Sequence, residues 1–336
     1  MRLVLYVGRR LVFVVPQLVG IVLVAFILVH LIPGDPARLM LGPMATNQSI
    51  AQLRDRLGLD KPLPVQFWIY LVNLVHGDLG SSWQTAQPVT KDLLQRLPAT
   101  LELITYSLLV AVLIGASLGV ISASRRGGVA DKLGASYGMV AGALPDFWLG
   151  LVLIFIIYAH LHWAPAPTGR FPLTMQPPST ITGFYTIDSI LTGKWAALAA
   201  AAWHLMLPVL TLGIVNAGPI LKMTRSTMQR MLEGDVVNYA RMCGLPESVV
   251  RRYALRNALP PVITIISVLY GFLIGGAVLV EVVFSWGGAG QYAVQGVLNA
   301  DFNPVIGFVL VSAIFSLVIY LAVDLIYFAI DPRLRH

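Results

Sequence analysis

Thr224-Arg-Ser-Thr-Met-Gln-Arg-Met-Leu-Glu-Gly-Asp-Val-Val-Asn-Tyr-Ala-Arg-Met-Cys-Gly-Leu-Pro-Glu247 is a polar segment held between two long apolar runs. It continues through Arg251, Arg252 and Arg256 to Pro260-Pro261, and seven of the 23 Lys and Arg residues lie from Lys222 to Arg256. A basic, helix-forming stretch of this size between two hydrocarbon-length runs predicts a helical membrane protein that presents a structured loop on one side. Its arginines favour the cytosolic side. What the loop is presented to is the functional question.

The rest of the chain supports the membrane reading. Apolar residues make up 57% and charged residues 12%, with a mean hydropathy of +0.77. A soluble domain carries about 25% charged residues. Six segments are long enough to cross roughly 30 Å of hydrocarbon as helices, near 11–32, 99–123, 133–160, 202–222, 259–283 and 304–330. The expected fold is therefore an all-α membrane protein of six transmembrane helices. The first run is followed by Ile32-Pro33-Gly34-Asp35-Pro36 with no small-residue cleavage site, so it reads as a retained span. With the N-terminus cytosolic, Arg2, Arg9, Arg10, the 124–132 loop, the 222–258 loop and the tail with Arg333 and Arg335 all lie inside. Positive-inside topology then accounts for the net charge of +7, and no nucleic-acid partner is implied.

Four parts follow: 1–33 with the first span, an extracytoplasmic helical loop at 34–97, a five-helix core at 98–330, and a cytosolic tail at 331–336. Within the 34–97 loop, Gln48–Leu57 has helical spacing with Gly58 as its stop. Phe67-Trp-Ile-Tyr-Leu-Val-Asn-Leu-Val reads as an interfacial helix ended by Gly77. The 161–200 loop is rich in Pro, Thr and Gly, with a short helix expected at 186–200. The 284–303 loop reads as a turn-rich corner.

The lone cysteine, Cys243, implies no disulfide framework, and no Cys/His cluster has metal-site spacing. There is no phosphate-binding loop and no nucleophile elbow. If ATP drives this protein, another chain binds it. Ionisable groups inside spans are costly and point to function by default. Glu102, Asp146, Glu281 and Asp324 are the carboxylates concerned. Glu102 follows Pro98 within the expected first turn of its helix, where it complements the helix dipole. Glu281 falls at the outer end of the fifth span. Asp146 lies in Leu144-Pro-Asp-Phe-Trp148, where the proline kinks the helix. That stretch reads equally as a packed bend or as a polar pathway lined by Asp146, Phe147, Trp148 and Glu281.

In the 223–258 loop, Asp235 is expected to cap a short helix from Val236, and Gly244-Leu245-Pro246 to end it. A second helix is expected from Glu247 to Asn257, with Pro260-Pro261 marking the start of the fifth span. A lipid-facing loop explains the arginines. It does not explain Tyr239, Ala240, Met242, Cys243 and Leu245, an apolar set that a free loop has no reason to expose.

This loop resembles the conserved cytosolic motif of ABC-importer permease subunits, Glu-Ala-Ala-x3-Gly-x9-Ile-x-Leu-Pro. Setting its glycine on Gly244 puts Asn238, Tyr239 and Ala240 on the Glu-Ala-Ala positions, and only the last matches. Leu259-Pro260 falls three residues later than the pattern asks. Together with Ala254-Leu-Arg-Asn-Ala-Leu-Pro-Pro, this form resembles the peptide-importer branch. Leu31-Ile-Pro-Gly-Asp-Pro-Ala, Gly77-Asp-Leu-Gly-Ser-Ser, Leu97-Pro-Ala-Thr-Leu-Glu-Leu, Leu207-Pro-Val-Leu-Thr-Leu-Gly and Val280-Glu-Val-Val-Phe-Ser-Trp-Gly-Gly-Ala-Gly are similar, in order and spacing, to the first permease of the dipeptide/oligopeptide type. That type includes nickel and glutathione importers.

The resemblance implies a type I ABC-importer permease fold in a bacterial cytoplasmic membrane. It also implies a second homologous permease, two ATPase subunits holding ATP and Mg2+, and an extracytoplasmic solute-binding protein or lipoprotein. The coupling loop would involve Asp235, Asn238, Tyr239, Ala240, Arg241, Gly244, Leu245 and Pro246. The chain itself would hold no cofactor and catalyse nothing. Two other classes remain open: a stand-alone proton-coupled transporter using Asp146, Glu281 and Asp324, and an intramembrane enzyme. No nucleophile–base pair supports the latter. No His or Met cluster favours nickel.

Overall fold

The computed structural model describes residues 2–31, 36–42 and 44–330. The Ile32–Asp35 segment, the 331–336 tail, and the side chains of Arg2, Arg9, Arg10 and Asp324 lie outside the described part. Among the described residues the regular secondary structure is helical, joined by turns and loops, with an isolated bridge between Ser81 and Pro88. The helices are α1 (Arg2–His30), α2 (Pro36–Leu41), α3 (Asn47–Leu57), α4 (Leu63–Val75), α5 (Val89–Ser124), α6 (Val129–Ala141) and α7 (Asp146–Leu153). A π-helical stretch, Ile154–His160, extends α7. Then come α8 (Tyr185–Leu191), α9 (Trp195–Leu232), α10 (Asp235–Met242), α11 (Glu247–Gly276), α12 (Val278–Val283), α13 (Ala289–Leu298) and α14 (Phe302–Ile330).

Among the described residues α5, α9, α11 and α14 are long and apolar enough to cross a membrane. A fifth span exists if α6 and α7 with its π-helical extension count as one, bent by 103°. The expected third span at 133–160 is thus two helices. Pro145 disfavours helical backbone at Leu144 and opens α7 from an extended conformation, φ −67° and ψ 131°. The described apolar part of α1, Phe13–Leu28, is shorter.

Two spans also have different bounds from those expected. The fourth begins at Trp195 and runs 38 residues to Leu232. At 1.5 Å per residue that is about 57 Å, so a substantial part extends beyond a bilayer core. The fifth begins at Glu247 rather than near 259. Pro260 and Pro261 lie inside α11. Adjacent prolines remove the donors to the carbonyls of Arg256 and Asn257, two exposed residues, yet the helix continues through them. The helix stops at Ala277, and α12 follows as a separate turn.

Two compact units form: residues 1–98 with 287–317, and residues 99–286 with 318–336. In the first unit, α3 ends as expected on Gly58, at φ 65°, whose N–H reaches back to Arg54 and Asp55 carbonyls. The 284–303 corner contains a helix the sequence reading missed, α13. Its fully buried Tyr292 donates to Asp92 on α5 at 2.7 Å. Thr85 donates to the same carboxylate, and the Arg96 guanidinium lies 4.8 Å over the Tyr292 ring.

In the second unit α9 is the central helix, packed by α6, α7, α8 and α11. Small residues allow close approach, as at other membrane helix contacts. A Cβ on Gly115 would stand 2.6 Å from the Ala217 carbonyl, and one on Gly213 would stand 2.8 Å from Val110.

Candidate functional site

The short helix α10 sits between the last turn of α9 and the first turn of α11. Gly234, not Asp235, is its N-cap, with extended backbone and no side-chain cap bond. Asp235 is instead the first helical residue, where a carboxylate still complements the dipole. The other end closes as the sequence predicts. Gly244 adopts φ 76°, its N–H bonds the Arg241 carbonyl at 2.9 Å, and the Leu245 N–H bonds the Ala240 carbonyl at 3.2 Å. That pair of bonds is a Schellman closure, which favours glycine at the left-handed position. Pro246 then opens α11 from extended backbone.

Eight residues are enough for α10 to have two faces. Val237 and Ala240, spaced by three, are buried against Val250 and Ala254 of α11 and Met231 and Leu232 of α9. This corrects the expectation that Ala240 belongs to the exposed set. At helical spacing a residue three after Val237 shares its face, and that face is inward. The outward face carries Val236, Tyr239 and Met242, with exposures of 69%, 67% and 79%. Leu245 and Cys243 are also exposed.

The polar residues fasten the helix. Arg241 donates to both Glu247 carboxylate oxygens, at 3.0 and 3.3 Å, and to the Leu232 carbonyl at 3.2 Å. One side chain therefore ties the end of α9, α10 and the start of α11. Asn238 donates to the Glu233 carbonyl at 3.4 Å. Glu233 pairs in turn with Arg126. Nearby, Arg225 Nε donates to Asp131 at 2.6 Å, a carboxylate that also accepts from Ser122 and the Gly127 N–H. Several of the cations from which the expected orientation was read are thus structural partners as well.

The expected pathway residues are less concentrated. Asp146 begins α7 at the 103° bend, and its Oδ1 is buried without a hydrogen-bond partner among the described residues. Phe147 and Trp148 are exposed. Glu281 is not at the tip of a span. It lies on α12, fully buried, and accepts from Thr100 of α5 at 2.5 Å. Near it, Phe284, the residue that caps the end of α12, stands 3.2 Å from where a Cβ on Gly150 of α7 would be.

Glu102 is likewise not in a first turn, because α5 begins at Val89. It is buried and accepts from Arg170 at 2.5 Å, from the Thr186 N–H at 2.9 Å and from the Thr186 hydroxyl at 2.7 Å. Arg170 also donates to the Gly183 carbonyl and lies 3.8 Å over the Tyr185 ring. Asp188 gathers the same segment. Burial pushes its carboxyl up, but the Thr182 N–H and hydroxyl and the Ile181 and Gly183 N–H groups outweigh that and hold it below its ordinary value. This network was not anticipated. The signal for it was the presence of only two cations, Arg170 and Lys194, in the 161–200 loop facing a carboxylate inside a span.

Fold and site together describe a multi-pass helical membrane protein with a short two-faced helix at the ends of two of its spans. Residues 115–336 match the family described as "binding-protein-dependent transport system inner membrane component". Residues 3–104 match the family of the N-terminal part of such membrane components. A probable D,D-dipeptide transport system permease protein of Escherichia coli (strain K12) is 43% identical over 94% of this chain and 93% of its own length. A dipeptide transport system permease protein of Alkalihalophilus pseudofirmus is 37% identical over 98% and 99%. A glutathione transport system permease protein of Salmonella typhimurium is 36% identical over the same shares. This chain belongs to the family of inner-membrane components of binding-protein-dependent transport systems.

Proposed function

We propose that this chain is one of two permease subunits of an ATP-driven importer of short peptides. The observation that carries the coupling role is the outward face of α10. Val236, Tyr239 and Met242 are exposed apolar residues on a helix whose other face is packed and whose ends are fastened by Arg241 and Gly244. A rigid apolar face standing beyond two spans suits a partner's groove. In this reading Asp235, Asn238, Arg241, Gly244, Leu245 and Pro246 build and hold the coupling element, Ala240 anchors it from inside, and Tyr239 meets the ATPase.

The partners are a second homologous permease, two ATPase subunits that bind ATP and Mg2+ and do the hydrolysis, an extracytoplasmic binding protein or lipoprotein, and membrane lipid. No nucleic acid takes part, and the chain itself catalyses no reaction. Residues 1–33 with α1 supply a sixth span, 34–97 an extracytoplasmic cap and 98–330 the core, with both termini cytosolic. Asp146, Phe147 and Trp148 line the path, and Glu281, expected there too, is fully buried against Thr100 and supports it from within. Peptide substrates are supported by the relatives named for dipeptides and for glutathione, itself a peptide.

Reconstitution tests this. Uptake of a labelled dipeptide into proteoliposomes should require the second permease, the ATPases, ATP and a binding protein together. Uptake by the purified chain alone, driven by a pH gradient, would replace this reading with a proton-coupled transporter.

A further inference from the structure

The first compact unit contains a cavity of about 840 Å3 that none of the roles above uses. Its walls come from the end of α1, the α3–α4 connection, α4, the 78–86 turn and residues 300–306. That volume lies within the usual range for small-molecule sites, roughly 300–1,000 Å3. Two of its lining side chains, Tyr70 and Trp83, keep a polar atom buried without a hydrogen-bond partner among the described residues: the phenolic oxygen and the indole nitrogen. A buried polar group left unpaired is costly, so two such groups on one cavity call for something that accepts from them.

The lining also has a charge preference. Asp55, Asp78 and Asp301 line it together with one lysine, Lys61, and one histidine, His30. An excess of carboxylates disfavours phosphates and favours an ammonium group. Asp301 is fixed by the Ser82 hydroxyl at 2.5 Å and the Gln84 N–H at 3.2 Å. Burial first, and then the Asp78 charge, push the Tyr70 phenol up to about 12, so it keeps its proton and remains a donor near neutral pH. Phe26, Phe302 and Ile306 supply apolar wall with room for a variable side chain. A ligand with an ammonium, nearby carbonyl acceptors and a side chain of unspecified kind is the amino end of a short peptide.

We propose that this cavity receives the amino end of a short peptide on the extracytoplasmic side, with the ammonium against the carboxylates and a carbonyl accepting from Tyr70 and Trp83. The proposal rests on the peptide-import reading and on the side it assigns to residues 34–97. It adds to that reading a second place where substrate is held, built from residues other than those assigned to the path.

The test uses the assembled transporter in lipid nanodiscs and a photoreactive dipeptide, alanyl-photoleucine, with labelled residues located by mass spectrometry. Labelling is expected within 69–86 or 300–306, displaced by Ala-Ala but not by N-acetyl-Ala-Ala. Tyr70→Phe and Trp83→Phe each remove a donor that holds no partner among the described residues, and each should lower the labelling about 3- to 10-fold, the worth of one hydrogen bond. No labelling in these segments, equal displacement by the acetylated peptide, or unchanged labelling in both variants would overturn the site. So would labelling that rises when phosphatidylethanolamine is left out of the nanodiscs, since a lipid headgroup would then be the occupant. ATP-driven uptake of Ala-Ala by the same preparation separates the two readings. Uptake without labelling sinks the cavity site alone, whereas loss of both sinks peptide import.

Discussion

The two faces of α10 make opposite demands on substitution, and that contrast is the sharpest test of the coupling role. Tyr239 and Met242 are 67% and 79% exposed, so truncating either to alanine removes little from the fold. Fully burying a side chain of this size contributes about 1.5–3 kcal/mol. With roughly two thirds of each left to cover, docking in a groove would draw about 1–2 kcal/mol from each residue. That corresponds to a loss of about 5- to 30-fold in ATPase affinity for Tyr239→Ala or Met242→Ala. The double variant should lose more than either single variant.

Ala240→Leu behaves differently. Ala240 is packed against α9 and α11 with Val237, Val250 and Ala254, and overpacking such a site costs about 1–3 kcal/mol of stability. The assay measures ATPase binding to the nanodisc-held permease pair, dipeptide uptake, and thermal unfolding of the permease. Tyr239→Ala and Met242→Ala should weaken binding and uptake while leaving the unfolding temperature unchanged. Ala240→Leu should lower the unfolding temperature. If truncating the outward face leaves ATPase binding intact, the reasoning that this face is a docking surface is refuted.

Four further outcomes follow from the geometry. Gly244→Ala meets no steric obstacle but holds φ 76°, so it should cost about 1–2 kcal/mol, and Gly244→Asn should cost less; hydrogen exchange across 236–246 reads the difference. Arg170→Met leaves Glu102 buried and short of its cation, an error worth about 3–5 kcal/mol, and adding Glu102→Gln should recover part of it in thermal unfolding. Gly115→Val forces a side chain against the Ala217 carbonyl of α9 and should destabilise the second unit by at least the same about 1–3 kcal/mol as other overpacking, read as a lower unfolding temperature. The lowered Asp188 carboxyl contributes stability that is complete above the unfolded value of about 3.9. That contribution is lost as pH falls through its lower folded value. Protection of the 181–191 amides, taken relative to their intrinsic exchange rate at each pH, should therefore fall on acidification. In Asp188→Asn that protection should be low already at neutral pH.

Local chemistry made several elements legible in the sequence. Gly58 ends α3 and Gly244 ends α10 because a left-handed closing residue has a strong side-chain preference. The apolar runs announced the long helices, since hydrocarbon length and composition leave few alternatives. The single span expected at 133–160 failed because hydropathy is blind to direction: α6 and α7 are both apolar, and only the Gly142–Pro145 backbone turns one by 103° from the other. The helix α13 was missed because glycines at 287 and 288 look like a loop, although Tyr292, Ala293 and Gly296 are buried at helical spacing behind them.

What the sequence by itself determined was the class: a basic loop between hydrocarbon-length spans, with an apolar helix closed by glycine that has no use on its own. Tertiary structure decided which atoms of that loop remain available. Ala240 turns inward onto α9 and α11, Arg241 is occupied by Glu247 and Leu232, and Val236, Tyr239 and Met242 are left outside. It also decided that Glu102 meets Arg170 across 68 residues and that Glu281 meets Thr100 across 181. The reason is physical. Caps and spans depend on neighbours within a few residues, whereas the facing of a short helix and the partner of a buried charge depend on which distant surfaces the fold brings against them.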